Sequence, residues 1–340
     1  MCGSAGIVVF RGAGAATMKV MAGGVRASRM RILVLGPRAG EEVGVRRAGV
    51  VRWSAAGLGF AAGLVIVLTP SASRGAPLWV VWASLAVALT SAAGGVVGYG
   101  LARWAELSAL LRPVRVRVRD VIVPVAGLLA MAVLAAMTSV VLTLAAHRAG
   151  SGWPAVRGWA LTAIAAVAAV PAVAVMFGVR YAAGSEAVTG KLGEQAAALI
   201  ALRRLLARLL AAVGSLVALS TLALGASLAL AHHVPAGSDL SRAQLAPQTV
   251  LIFGGAGSAL LALAYGPASS ALRDRGQRLR DELFPLSEAD EPAAIVTLAE
   301  GRSQLEQLLG MDRTVMGDLQ TGLVILGPLF ASAAAAFLPR

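Results

Sequence analysis

The chain contains no asparagine and a single cysteine, Cys2. The first absence removes every N-glycosylation acceptor, and the second excludes an internal disulfide framework while leaving the redox compartment open. Charge is scarce as well: 14% of the 340 residues are Asp, Glu, Lys or Arg, and 58% are hydrophobic. Soluble domains carry about 45–50% apolar residues, so the excess must face something other than water. Ionisable side chains are missing where they would matter most. Seven apolar runs, roughly 53–69, 78–100, 121–146, 158–179, 209–231, 249–272 and 321–338, hold no Asp, Glu, Lys, Arg, His, Asn or Gln.

Those blanks exclude whole classes of function. Ion movers, proton pumps and intramembrane enzymes usually retain an ionisable group inside the bilayer despite its cost. There is no G-x-S-x-G elbow, no carboxylate pair within a run and no lysine within a run for a retinal Schiff base. The stretch from Gly184 to Leu192 (GSEAVTGKL) falls short of a nucleotide-binding P-loop. Its glycines are one residue too far apart, and Leu192 stands where a Mg²⁺-binding hydroxyl is required. It reads as a surface loop, and the chain as a non-enzyme with no cofactor.

What is present fits lipid as the solvent. A helix needs about 20 residues to cross about 30 Å of hydrocarbon, and most of the runs have them. In the third run a dozen Val, Ile and Leu side chains favour insertion by about 4–7 kcal/mol in total, enough to offset Pro124. The net charge of +13 would admit a nucleic-acid partner, but its placement argues against one. Of the 30 Lys and Arg residues, 25 fall in alternate segments between the runs, as does every acidic residue except Asp239. This is the positive-inside asymmetry, and it predicts a cytoplasmic N-terminus and an external C-terminus. Trp79, Trp82, Trp153 and Trp159 fall at predicted outer boundaries, and Tyr99, Tyr181 and Tyr265 at inner ones.

The predicted fold class is therefore all-α, a polytopic transmembrane helical bundle of about seven spans with a small cytoplasmic helical hairpin. Residues 1–48 read as a disordered basic tail without a signal peptide or lipidation motif. Residues 49–268 hold spans one to six, 269–319 the hairpin, and 320–340 the seventh span and C-terminus. Two helices should exceed the membrane thickness, one from Gln195 to Ala231 and one running through span six to Leu283. Asp274/Arg278 and Arg278/Glu282 are i,i+4 pairs suited to a solvated helix surface. A further helix is predicted from Pro292 to Leu309, with Ile295, Leu298, Leu305, Leu308 and Leu309 as its apolar stripe.

Several residues stand out within this frame. Gly59 and Gly63, then Gly94 and Gly98, form small-xxx-small faces that let helix backbones approach; homo-oligomerisation is their other use. Gly254 and Gly257, with Gly255 and Ser258, mark a close helix crossing. Pro171 and Pro328 are kinks and hinge candidates. Arg115, Arg117, Arg119, Arg203, Arg204 and Arg208 are predicted to reach lipid headgroups. His147, His232 and His233 with Asp239 are the one group of potential ligands, but no spacing among them fixes a site, so no metal is expected.

Arg278–Leu286 (RLRDELFPL) and Ser303–Leu319 (SQLEQLLGMDRTVMGDL), leading into GLVILGPL, resemble a family of multi-spanning membrane proteins of high-GC actinobacteria with no established activity. That resemblance covers mainly the last third of the chain and implies a bacterial inner-membrane location, with no catalytic residue to carry over. The expected role is a non-enzymatic scaffold, sensor or accessory subunit with a protein partner at the hairpin. The alternative is a permease for an apolar or lipidic substrate working with a separate ATPase.

Overall fold

The computed structural model describes residues 39–69, 72–76, 78–111, 119, 121–130, 133, 153–184, 192–232, 247–285, 292–309, 324–327 and 330. The described regular structure is helical throughout. In chain order α1 is Ala39–Leu68, α2 is Trp79–Leu111, α3 is Val121–Ala130 and α4 is Trp153–Gly184. Then follow α5, Leu192–His232, α6, Pro247–Leu283, and α7, Pro292–Leu309. The chain divides into two compact units, Met1–Arg47 and Ala48–Arg340. In the first, residues 39–47 are helical rather than disordered, so α1 starts inside the stretch read from the sequence as the 1–48 tail; the packing described below lies in the second.

Among the described residues four helices are long and apolar enough to cross a membrane: Trp79–Ser108, Ala160–Gly184, Leu192–Leu230 and Val250–Leu283. The apolar part of α1, Trp53–Leu68, and α3 are shorter. The large side chains on α1 face outward, among them Trp53 at 77%, Leu58 at 74% and Val65 at 65% exposed. Exposure of that kind is costly in water and costs nothing in hydrocarbon.

The bundle packs on stripes spaced three and four residues apart. On α5 one row of buried side chains runs through Leu199, Leu202, Leu206, Leu209, Val213, Leu216, Ser220 and Ala223. This is one continuous helix face, and Arg204, Arg208, Ala211 and Ser215 on the other side are exposed. Helix α4 repeats the pattern through Leu161, Ala165, Ala168, Ala172, Val175 and Val179, and α2 through Trp79, Trp82, Ala86, Leu89, Ala93 and Val96. The alanines allow close backbone approach where leucine would hold the helices apart. Helix α5 is the hub, touching α2, α4, α6 and α7.

Helix directions can be read from the closest approaches. A Cβ built on Gly59 would strike the Thr90 carbonyl, one on Gly63 the Thr90 hydroxyl, and one on Gly94 the Ala55 carbonyl. Residue numbers rise along α1 as they fall along α2, so the two are antiparallel. Between α2 and α4 both rise together. Arg157 lies over Trp79, a Cβ on Gly100 would lie 2.8 Å from Ala172 N, and one on Gly178 would lie 2.5 Å from Leu107 Cδ2. Helices α2 and α4 are therefore parallel. Gly257 against Val217 and Gly214 3.5 Å from Leu261 Cδ2 make α5 and α6 antiparallel. Helix α3 rests Val121 and Val125 beside Phe177 of α4. The helical turn 324–327 reaches the same core, with Val324 Cγ1 2.9 Å from a Cβ on Gly214.

Candidate functional site

The buried threonine hydroxyls of the bundle are satisfied within their own helices. Thr90 Oγ1 donates to the carbonyls of Ala86 and Val87 at 3.1 and 3.0 Å, and Thr221 Oγ1 to those of Val217 and Ala218 at 2.9 and 2.8 Å. Such back-bonding leaves these hydroxyls without a proton to offer a substrate. Ser258 Oγ is buried with no hydrogen-bond partner, beside the α5–α6 crossing at Gly257. Among the described residues no group of three or more His, Cys, Asp or Glu gathers to hold a metal. The side chains of His147, His232, His233 and Asp239 lie outside the described residues.

Polar structure collects at the two ends of the bundle. At one end Arg157, 5% exposed, reaches from the first turn of α4 to the end of α1. Its Nη2 donates to Thr69 O and Thr69 Oγ1, both at 2.8 Å, and the guanidinium lies 5.8 Å from the Trp79 ring centroid. Arg74 Nη2 donates to Leu68 O as well. Two cations thus meet the carbonyl end of one helix, where its dipole is negative. Burial, and secondarily the Arg74 charge, push the Arg157 pKa down, yet a guanidinium remains protonated. Trp79 and Trp82, whose centroids are 5.0 Å apart, are buried in the packing between helices.

The other end is richer. Arg280 of α6 pairs with Glu306 of α7 and, at 2.9 Å, with Asp281; Arg302 Nη2 lies 3.3 Å from Asp281. Arg302 Nε donates to Phe284 O at 2.8 Å, closing the carbonyl end of α6. The Phe284 ring sits over Gly301, where a Cβ would lie 2.5 Å from Cε1. Arg203 Nη1 of α5 donates to Leu309 O, the last residue of α7, at 2.9 Å, and Arg275 Nη2 of α6 reaches Gln195 Oε1 at 3.4 Å. Between α5, α6 and α7 lies a cleft of about 50 Å³. Neither Asp274/Arg278 nor Arg278/Glu282 is among the ion pairs of the described residues. The pairs that cross from α6 to α7 are Arg280–Glu306 and Asp281–Arg302.

The residues singled out in the sequence divide between these places. Gly59, Gly63, Gly94 and Gly257 stand at close helix approaches, and Gly98 and Gly254 are buried. Pro171 lies inside a continuous α4, with its Cβ 2.9 Å from a Cβ on Gly100. Pro328, Arg115 and Arg117 lie outside the described residues, and Arg119, Arg203, Arg204 and Arg208 are exposed. Sequence reasoning missed Gly100, Gly178 and Gly214, none of which has a second glycine four residues away. It missed Pro267 inside α6, and it counted Arg157 only as a loop charge. Comparison with known protein families, curated proteins and solved structures finds no match.

Proposed function

We propose that this chain is a multi-pass bacterial plasma-membrane protein of about seven spans that acts as a non-enzymatic scaffold, sensor or accessory subunit. Its 269–319 segment forms a cytoplasmic helical hairpin that meets a protein partner. The resemblance to actinobacterial membrane proteins and the asymmetry of Lys and Arg support the location and threading. The parallel run of α2 and α4 supports the span count. Helix α2 covers about 50 Å, and two helices joined end to start can be parallel only if the intervening chain returns through the bundle. The third run supplies that crossing.

The observation that carries the functional reading is the state of α7. Cross-helix ion pairs and the Arg203 bond to Leu309 fix it to α5 and α6, while Ile295, Val296 and Leu308 remain 43, 59 and 70% exposed. A helix held that firmly with large apolar side chains outward is built to be covered. The spans, by contrast, offer no charge for chemistry. Affinity purification of the full chain from its native membrane tests the reading. Val296→Lys together with Leu308→Glu should abolish the specific co-purifying protein while leaving expression and thermal stability unchanged. Retention of the same partners by that variant overturns it.

A further inference from the structure

The cleft between α5, α6 and α7 is walled by buried Leu206, Leu272 and Leu309, and its polar lining includes Arg203, Arg273 and Tyr265. Among the described residues no carboxylate lines it. We propose that the cleft is an oxyanion site that takes one phosphate group, held by the Arg203 and Arg273 guanidiniums with the Tyr265 phenol as a neutral donor.

Size restricts the occupant first. About 10–15 Å³ of such volume holds one water, so about 50 Å³ holds a few waters or one tetrahedral anion and excludes a drug-sized ligand. Charge restricts it next. Two cations over a floor of leucines attract an anion more strongly than they would in open water, because the apolar wall lowers the local dielectric. Geometry adds selectivity, since the guanidinium fork matches phosphate oxygens in a way an ammonium cannot. The bond from Arg203 Nη1 to Leu309 O, 2.9 Å long, orients the first of these forks. Asp281 and Glu306 on neighbouring turns are engaged by Arg280 and Arg302, and Asp274, next to Arg273, is exposed and outside the cleft lining.

Position identifies the sources of the phosphate. Arg203 lies about 9 Å before the apolar run that starts at 209, and Arg273 follows directly on the run that ends at 272. Because α5 and α6 are antiparallel, both cations stand at the same end of the bundle, at headgroup depth. A phospholipid headgroup reaches that depth from the side, and a soluble phosphate from the aqueous phase. This inference rests on the membrane reading given above.

The test uses the full chain reconstituted in phosphatidylcholine bilayers, with and without 20% phosphatidylglycerol, at about 0.15 M salt. Thermal stability and retained lipid, the latter by native mass spectrometry, are read together, and inorganic phosphate is added to the phosphatidylcholine sample as a separate arm. Phosphatidylglycerol should be retained at least tenfold over phosphatidylcholine, and Arg203→Gln with Arg273→Gln should bring that ratio to about one. The control Arg180→Gln with Arg278→Gln, two exposed arginines outside the cleft lining, should change the ratio less than twofold. Tyr265→Phe should lower it about threefold, and it guards against a fold defect in the double arginine variant. Retention of phosphatidylglycerol supports the site with lipid as its source, and stabilisation by inorganic phosphate alone supports it with the soluble anion. Equal loss in the cleft and control variants, or no response in either arm, overturns it. A chain that stays monodisperse without detergent fails the membrane reading itself, a result no lipid ratio can imitate.

Discussion

Single residues decide how closely the helices approach, and two neighbours on α2 show it best. A Cβ on Gly94 would strike the Ala55 carbonyl and lie 3.1 Å from Ala56 Cα, whereas one on Gly95 meets nothing within 4 Å. Alanine is a better helix former than glycine by about 1 kcal/mol. Gly95→Ala should therefore leave the melting temperature in detergent unchanged or raise it slightly. Gly94→Ala should lower stability by about 1–3 kcal/mol, because the clash is with backbone that cannot rotate away. Equal effects at both positions would remove the close α1–α2 approach. Arg157 makes a second prediction. Arg157→Met retains much of the apolar stem but removes the donor to the Thr69 hydroxyl and leaves the Thr69 carbonyl only the longer bond from Arg74 Nη2 at 3.4 Å, a loss of about 1–3 kcal/mol measured by thermal denaturation. Arg157→Lys should recover only part of it, since one ammonium replaces a fork and its stacking on Trp79.

At the scale of elements, α7 is joined to α6 by charge and to α5 by a backbone carbonyl. The Arg280 and Glu306 side chains are 23% and 33% exposed, which leaves their attraction partly screened by water. A double-mutant cycle between Arg280→Ala and Glu306→Ala should give a coupling of about 0.5–1 kcal/mol, falling as salt is raised. The same single variants should speed proteolysis within 286–291, the stretch between the two helices. Unchanged cleavage would mean that the apolar contacts of Leu305 and Leu309 hold α7 alone.

Elements are also where the sequence speaks most clearly and then stops. The length of α5 and α6 beyond the apolar runs follows from helix-forming residues continuing past the last greasy one. Pro292 and Gly310 bracket α7 because proline suits a first turn and glycine a last. These are local signals carried by neighbouring residues. Partner choice is different in kind. Gly100 is needed because of where Pro171 and Ala172 lie, and nothing within several residues of position 100 records that. Arg280 likewise finds Glu306 twenty-six positions away, while the local i,i+4 spacing pointed to Arg278. The cleft was half legible: Arg203 stood out as a headgroup residue, but Arg273 and Tyr265 join it only when two antiparallel helices fold together.

For the whole molecule the decisive quantity is the direction of each crossing. Reporter fusions placed within 112–118 and 286–291 should report from the cytoplasm, and fusions within 147–151 and 234–245 from outside. A fusion within 147–151 that reported from the cytoplasm would leave α2 and α4 parallel with no return path between them, so it would remove the seven-span threading at once.

The parallel pairing of α2 with α4 also sets an order for biogenesis. In the proposed seven-span threading, the Gly100 surface cannot meet Pro171 while the ribosome is still delivering the third hydrophobic segment, because that segment must first travel back across the bilayer. Until then the small-residue face of α2 has only α1 and lipid beside it. A delay in releasing the third segment from the insertion machinery would hold back the central pairing, whatever the stability of the finished protein.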